Sequence, residues 1–390
     1  MDILFVSSLC SNKQNDAIFK EHNRLSSYAS QKFNKLFVTG LLENDCKVDA
    51  LSQRILHSKS YAPINETEKS VQFTYLHHKK NRSLNRISVI IEATKKIIQW
   101  CKAHKKGIVI CDTIIGELSI AVLIASKLIK NVTIAIVTDV PSIRANDNRK
   151  GLKSIPVKIK NSLIYCYDSY VFLTEEMNSL FNTHNKPYVV IEGMVDEKAQ
   201  MINNTLDLKS DKKICMMAGL LDDIYGVDSL IKAFSNLEYK DVELVFYGRG
   251  NSVQRIIETA KNDGRIKYKG ELPNEEIMRE ECRASLLINP RNGKGDWTKY
   301  SFPSKNMEYI ASGTPMLAFA LPSMPSEYYP FFYHFEKDDI DSMTHVLKNV
   351  LSQSNKELYD FGKMSQKWIH KEKSSKKQIE KVVRMIRRYK

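Results

Sequence analysis

Residues 301–315 read Ser301-Phe302-Pro303-Ser304-Lys305-Asn306-Met307-Glu308-Tyr309-Ile310-Ala311-Ser312-Gly313-Thr314-Pro315, and they are the most informative part of this sequence for the fold. It predicts a short helix with both ends marked. Pro303 suits the first helical turn, where its missing N–H is not needed. Gly313 suits the position just past the last turn, and Pro315 prevents the helix from continuing. Spacings of i, i+3 and i+4 predict a buried side that carries Met307, Ile310 and Ala311.

Compact apolar runs flank this helix on both sides. Residues 285–290 precede it and residues 315–320 follow it, and both runs predict buried strands. A strand, a polar loop, a helix and a second strand make one unit of a parallel sheet. The loop 291–300 therefore lies at the carboxyl end of a strand and leads into a helix N-terminus. Open α/β sheets bind ligands at that edge, and a helix N-terminus favours anions.

This segment resembles the donor site of the glycosyltransferase group 1 family, the retaining GT-B glycosyltransferases. More narrowly, it resembles a bacterial branch that acts on surface polysaccharides. The resemblance implies that Glu308 binds the ribose hydroxyls of a nucleotide sugar, with Ser301, Ser304 and Tyr300 beside it. Many members carry a second Glu eight residues earlier, where this chain has Tyr300. The matching residues are Pro290-Arg291, Ser301-Phe302-Pro303-Ser304-Lys305, Glu308 and Gly313-Thr314-Pro315.

Charge chemistry assigns roles to the two cations of this segment. Departure of a diphosphate leaving group builds negative charge, which Arg291, Lys305 and a helix N-terminus would stabilise without a metal. We therefore predict both residues as catalytic. The alternatives are ordinary ones: Lys305 and Glu308 form an i, i+3 surface ion pair, and Arg291 is a solvated loop cation.

Glycine turns end three further strands of the same half. Residues 218–226 carry Gly219, Tyr225 and Gly226, and such a turn lets the backbone approach phosphate oxygens. Relatives carry basic residues where this chain has Leu220 and Tyr225, so Arg291 and Lys305 must supply more of the charge. Close packing alone is the alternative for these turns. The family likeness adds four donor-binding positions on the following strand ends, namely Gly248, Gly270, Glu271 and Leu272.

Composition limits the class of protein. The 390 residues fit two domains of about 200 residues each. A net charge of +14 indicates an anionic partner, such as a nucleotide diphosphate, a nucleic acid or an anionic membrane. The seven cysteines form no C-x-x-C pair, which favours a reducing compartment over a disulfide framework or a metal cage. We expect no metal and no cofactor.

Strand and helix patterns alternate along both halves and predict an α/β protein with doubly wound sheets. The predicted domains are 1–195, which binds the acceptor, and 196–365, which binds the nucleotide sugar. Residues 366–390 form a basic C-terminal helix that packs back on the first domain. The resemblance implies two Rossmann-like domains that face across a cleft. No Gly-x-Gly-x-x-Gly follows the first strand, which argues against a dinucleotide-binding half.

The first half offers weaker candidates for the acceptor side. Asp139 ends a strand, and the resemblance suggests a catalytic role near the acceptor hydroxyl or the donor sugar, whereas a plain turn before Pro141 is the alternative. Ser8 and Lys13, in a polar loop predicted for residues 8–15, are assigned to acceptor binding. Asp112 and Glu117 follow the strand that ends at residue 111 and are lesser candidates.

The C-terminal tail is basic and amphipathic. Residues 371–390 contain nine basic and two acidic residues. Such a helix can lie on an anionic membrane surface, or its apolar stripe can pack on the first domain. That stripe consists of Ile379, Val382, Val383 and Ile386.

The resemblance implies a retaining hexosyltransferase of cell-surface polysaccharide or capsule synthesis. Its donor is a nucleotide diphosphate sugar, and its acceptor is a saccharide, carried on a lipid under the narrower resemblance. The chain starts directly as a strand, and its longest apolar run, roughly 12 residues, is too short to cross a bilayer. We therefore expect a cytoplasmic protein, peripheral on the inner face of the plasma membrane. The alternatives are a sugar-nucleotide epimerase or hydrolase and, in another class, a nucleic-acid-binding protein; we predict no nucleic-acid partner.

Overall fold

The computed structural model describes residues 1–22, 28–79, 81–140, 143, 161–195 and 202–389. The chain forms two compact units: Met1–Met194 with Ser375–Lys390, and Val195–Ser374. It therefore passes from the first unit to the second and later returns. The predicted boundary between residues 365 and 366 falls inside a helix, Asn355–Glu372, so the structure divides the chain further along. The first residues of the second predicted domain, 196–201, lie outside the described residues.

The first unit is built on an eight-stranded sheet in the order β3-β4-β2-β1-β5-β6-β7-β8. All neighbouring strands are parallel except β3 and β4. The central strands are buried along their whole length, as expected for a sheet covered on both faces. The strands are β1 (Asp2–Ser7), β2 (Lys47–Ser52), β3 (Asn65–Glu68), β4 (Val71–Tyr75), β5 (Ile108–Asp112), β6 (Thr133–Val137), β7 (Ser169–Phe172) and β8 (Tyr188–Val190).

One helix of this unit begins earlier than predicted. The polar loop that we expected to continue to residue 15 ends at Ser11, because the Ser11 hydroxyl accepts a hydrogen bond from the Gln14 N–H at 3.0 Å and caps a helix. Lys13 therefore lies in a helix and not in a loop. The helices are α1 (Asn12–His22), α2 (Tyr28–Glu43), α3 (Arg82–Ala103), α4 (Gly116–Ile129) and α5 (Glu175–Phe181).

The second unit has a six-stranded, fully parallel sheet in the order β11-β10-β9-β12-β13-β14. Its strands are β9 (Lys213–Leu220), β10 (Val242–Arg249), β11 (Ile266–Tyr268), β12 (Leu286–Asn289), β13 (Met316–Phe319) and β14 (Tyr333–Phe335). Its helices are α6 (Val227–Ser235), α7 (Val253–Asn262), α8 (Asn274–Arg283), α9 (Ser304–Ser312), α10 (Ile340–Leu351) and α11 (Asn355–Glu372). The predicted α/β class, with two Rossmann-like units of parallel sheet, is confirmed.

A last helix, α12 (Ser375–Ile386), returns to the first unit and packs on α2 and β8. The predicted apolar stripe of this helix is fully buried in the first core. Gly40 of α2 makes the close approach possible, because a Cβ atom there would lie 2.5 Å from the Ile379 side chain. Exposed basic residues cover the outer side of the helix: Lys376, Lys377, Lys381 and Arg384.

Candidate functional site

A cavity of about 250 Å³ lies in the second unit where β9 and β12 end and α9 begins. These two strands are neighbours in the sheet, so their carboxyl ends open on the same edge. Ser304 and Lys305 line the cavity from the first turn of α9. The other lining residues are Met217, Ala218, Leu220, Tyr225, Ile288, Asn289, Arg291, Phe302, Pro303 and Tyr309.

The first turn of α9 carries no side-chain cap. Pro303 occupies the N-cap position and has no side chain that can accept a hydrogen bond from the helix. The first N–H groups of a helix carry partial positive charge and need acceptors from outside the helix. This end of α9 is therefore open to an anionic group in the cavity.

Arg291 is the most enclosed cation of the site, with 8% of its surface exposed. Its Nη2 donates a hydrogen bond to Ser301 Oγ at 3.0 Å, and its guanidinium lies 4.3 Å from the ring centroid of Trp297. Its Nε is buried and has no hydrogen-bond partner within the described residues. Burial lowers the pKa of Arg291 to about 10, against an opposing effect of Tyr225, so the group stays charged at neutral pH.

Lys305 lies between two carboxylates. Its Nζ is 2.8 Å from Glu308 Oε2 and 3.2 Å from Glu281 Oε1. Burial alone would lower the pKa of Lys305, but Glu308 and Glu281 outweigh it and raise that pKa above its ordinary range. The lysine is therefore a permanent cation whose position is fixed from two sides.

Glu308 forms an i, i+3 ion pair with Lys305, which was the structural alternative to a role in ligand binding. Its side chain is 20% exposed, and it is not among the residues that line the cavity in the described part of the chain. Glu308 thus contacts the site through Lys305. Its binding of ribose hydroxyls stays a prediction.

Two of the predicted glycines sit where a side chain would collide with backbone. Gly248 of β10 pairs with Gly219 of β9, and a Cβ atom on Gly248 would lie 1.9 Å from the Gly219 carbonyl oxygen. Gly226 has φ +79°, and its Cβ atom would lie 2.3 Å from the Pro290 carbonyl oxygen. Close packing thus accounts for both glycines, and it was the structural alternative for the turn at residues 218–226.

The remaining donor-side predictions are not among the described residues that line the cavity. Gly270 follows β11 and accepts a hydrogen bond from the Gly248 N–H at 2.8 Å. Glu271 is an exposed carboxylate 3.8 Å from Arg249, and Leu272 packs against the core of the second unit. Tyr300 ends the short helix Asp296–Tyr300 and is half-buried.

The predicted acceptor-side residues all belong to the first unit. Asp139 follows β6 and is half-buried. Ser8 is buried after β1, where its carbonyl accepts a hydrogen bond from Gln31 Nε2, and Lys13 is exposed on α1. These positions leave their roles as predictions.

The two lesser candidates of the first unit have structural partners. Asp112 is buried and accepts hydrogen bonds from Asn34 Nδ2 at 2.8 Å and from the Ile114 N–H at 3.1 Å, while burial raises its pKa. Glu117 is paired with Arg86 at 2.9 Å. In the part of the chain that the structure describes, no group of three or more His, Cys, Asp or Glu side chains is arranged to hold a metal ion.

Sequence reasoning missed two residues of this site. Glu281 is 1% exposed and was given no role from the sequence, although its position next to the buried Cys282 marks the inner side of α8. Trp297 was read as part of a polar loop. An isolated tryptophan between glycine and charged residues is the one signal that marks it, since a large aromatic side chain in such a loop needs a partner to pack on.

Comparison with known proteins agrees with this architecture. Residues 199–374 match the family model of glycosyl transferases group 1, which coincides closely with the second unit. No curated protein sequence matches the chain. The second unit therefore resembles the glycosyl transferases group 1 family over residues 199–374.

Solved structures with a similar fold cover nearly the whole chain. Sucrose-phosphate synthase from Thermosynechococcus elongatus has a TM-score of 0.71 at 10% identity, with 100% of both chains covered. The α,α-trehalose 6-phosphate synthase from Burkholderia multivorans has a TM-score of 0.62 at 13% identity, covering 100% of this chain and 96% of its own. Anabaena HepE in complex with UDP has a TM-score of 0.61 at 11% identity, covering 98% of this chain and 100% of its own. At these identities the likeness establishes the fold, which is GT-B.

Proposed function

We propose, because the second unit matches the group 1 family model, that the chain is a retaining glycosyltransferase that uses a nucleotide diphosphate sugar. The observation that carries the proposal is Arg291, a buried guanidinium at the wall of the cavity whose Nε has no hydrogen-bond partner among the residues that the structure describes. A buried donor without a partner costs free energy, which a phosphate oxygen in the cavity would recover. The matched family and the UDP bound to Anabaena HepE support the same class of ligand.

The chain's own groups suggest how the transfer proceeds. The diphosphate would sit against Arg291, Lys305 and the uncapped start of α9, which together stabilise the charge of the leaving group. The acceptor hydroxyl would attack on the face from which the diphosphate leaves, and the diphosphate would take its proton. Configuration is then retained without a protein nucleophile. We propose that this transfer needs no metal, with Asp139 serving the acceptor side.

The acceptor is proposed to be a saccharide, carried on a lipid, in cell-surface polysaccharide synthesis at the inner face of the plasma membrane. The basic outer side of α12 supports attraction to an anionic membrane. Its apolar stripe is unavailable for insertion, because it fills the core of the first unit. The described residues include no helix long and apolar enough to cross a bilayer.

A ligand screen tests the donor side of the proposal. Isothermal titration of nucleoside diphosphates and their sugar conjugates should find one that binds, and Glu308→Gln should weaken it at least about tenfold. Glu275→Gln is the matched control, since Glu275 is an exposed carboxylate of α8 outside the cavity. Equal binding by both variants would exclude Glu308 from the site, and no binding by wild type would exclude the proposal.

Product analysis tests the reaction. Incubation with the donor should give a glycoside only when an acceptor is present, with the anomeric configuration of the donor by NMR, and a chelator should not slow it. A changed sugar nucleotide without acceptor would indicate an epimerase, and free sugar would indicate a hydrolase.

A further inference from the structure

We propose that the exposed apolar surface of α3 and α4 docks this protein on an anionic lipid membrane. Five large aliphatic side chains on these two helices are between 42% and 68% exposed, and we call them the α3–α4 face. A cluster of this kind on a globular protein marks an interaction surface more often than single exposed side chains do. The residues of the face are Leu84, Ile87, Ile91, Ile124 and Leu128.

The α3 part of the face is one continuous stripe. Leu84, Ile87 and Ile91 recur at i, i+3 and i+7, so they lie on the same side of the helix. The opposite side of α3 holds Val89 and Ala93, which are buried. The core-facing side of α3 is therefore apolar. The N-terminal half of the helix has a second apolar side, which faces solvent.

The α4 part of the face lies on the side of that helix that carries Glu117. Ile124 and Leu128 follow Glu117 at i+7 and i+11, so they share its side of the helix. Glu117 reaches across to Arg86 of α3 at 2.9 Å, which shows that this side of α4 is directed toward α3. The exposed aliphatic side chains of the two helices thus belong to one surface.

The charge around the face fits an anionic partner. Residues 82–130 contain nine Lys and Arg and only three Asp and Glu. The two acids on these helices already have basic neighbours, since Glu117 pairs with Arg86 and Glu92 lies 2.8 Å from His77 Nδ1. Exposed lysines surround the aliphatic side chains, among them Lys95, Lys127 and Lys130.

Aliphatic side chains within a basic rim are the composition of a surface that lies in the headgroup region of an anionic bilayer. The C-terminal helix cannot supply the apolar part of such contact, because its stripe is buried. The inference deepens the proposed function, on which it rests for the lipid-linked acceptor, and it assigns the contact to a different element.

Vesicle flotation of the full chain, without donor or acceptor, tests the docking separately from the enzyme activity. Vesicles of phosphatidylcholine with phosphatidylglycerol should bind the wild type, and vesicles of phosphatidylcholine alone should bind it at least about tenfold less. The variant L84Q/I87Q/I91Q keeps good helix formers on α3 and should lose at least about tenfold in binding to the anionic vesicles. The control I64Q/L208Q/M364Q removes the same number of exposed apolar side chains elsewhere and should bind like wild type.

The opposite results overturn the inference. Undiminished binding by the α3 variant, equal loss in the control, or no binding by the wild type would each exclude docking through this face. A wild type that is dimeric by light scattering, with a monomeric α3 variant, would assign the face to a second copy of the chain. Nucleotide-induced thermal stabilisation, measured in every variant, shows whether the donor site itself is intact, so a failure here is distinguishable from a failure of the proposed function.

Discussion

At the scale of single residues, the cavity depends on how two cations are held. Arg291 lies against the Trp297 ring and is anchored by Ser301, so its planar guanidinium has a fixed orientation. The glycine turn after β9 lines the cavity with two uncharged side chains, Leu220 and Tyr225, and the Tyr225 ring lies 6.1 Å from that of Trp297. The positive side chains that line the cavity in the described part of the chain are therefore Arg291 and Lys305.

Replacing Arg291 with lysine should weaken nucleoside diphosphate binding at least about tenfold, although the charge is kept. Lysine cannot stack on Trp297 and cannot offer a forked pair of donors. Titration calorimetry measures the effect. Arg249→Lys is the control, because Arg249 is an exposed arginine of the neighbouring strand end and lies outside the cavity. Equal affinity in the Arg291 variant would mean that stacking does not matter.

Replacing Glu281 with glutamine should cost about 1–3 kcal/mol of unfolding free energy, because it removes a buried partner of Lys305. The loss stays below that of a fully broken buried pair, since Glu308 remains. Urea denaturation measures it. Glu308→Gln changes a more exposed carboxylate of the same lysine and should cost less, about 1 kcal/mol or below. A reversed order would show that the buried contact is the weaker of the two.

At the scale of elements, the turn into α6 depends on Gly226. Gly226→Ala should destabilise the protein by about 2–4 kcal/mol, because it combines a left-handed φ with a collision against the Pro290 carbonyl. Gly270→Ala has the left-handed φ without any atom near the new Cβ and should cost about 1 kcal/mol. Gly264→Ala, with neither feature, should leave denaturation unchanged.

Two histidines in the loops after β2 and β4 should make the stability of the protein depend on pH. The ring centroid of His57 lies 4.2 Å from that of His78, and burial, with His78 and Arg54, lowers the pKa of His57 to about 4. Between pH 4 and 6.5 the unfolded chain binds a proton at this position that the folded chain does not, so stability falls as the pH is lowered through this window. His57→Gln should flatten this part of the curve by roughly 1–2 kcal/mol, allowing for partial solvent exposure. Denaturation at pH 4.5, 5.5 and 7 measures it, and an unchanged slope would contradict it.

Elements with marked ends could be predicted from the sequence, and contacts distant along the chain could not. Pro303 and Gly313 fix the limits of α9 locally, so that helix was predicted almost to the residue. The start of α1 depends on one hydroxyl cap that the sequence pattern does not single out. Glu281 meets Lys305 only because α8 and α9 pack together, which no local pattern encodes.

At the scale of the whole molecule, α12 completes the core of the first unit from the far end of the chain. Removing residues 375–390 takes away Ile379, Val382 and Ile386, all essentially inaccessible to solvent. The truncated protein should melt at least about 5 °C lower in calorimetry, because several buried aliphatic side chains lose their partners. Truncation of residues 375–390 is therefore an unsuitable test of membrane contact by the tail, because it also destabilises the first unit.

Neutralising the exposed basic side of α12 is the matched control. K376Q/K377Q/K381Q keeps the buried stripe and should melt within about 1–2 °C of wild type, because surface charges contribute little. Similar melting of the truncated and full-length chains would show that α12 adds nothing to the first core.

The discontinuity of the first unit has a consequence for biosynthesis. The ribosome makes β1 to β8 well before α12, and the entire second unit emerges between them. Nascent domains usually fold as they appear, but here the groove on α2 that α12 will fill stays open while the whole second unit is translated. A chaperone that holds this groove, or a protease that inspects it, would distinguish a finished polypeptide from one that stalled.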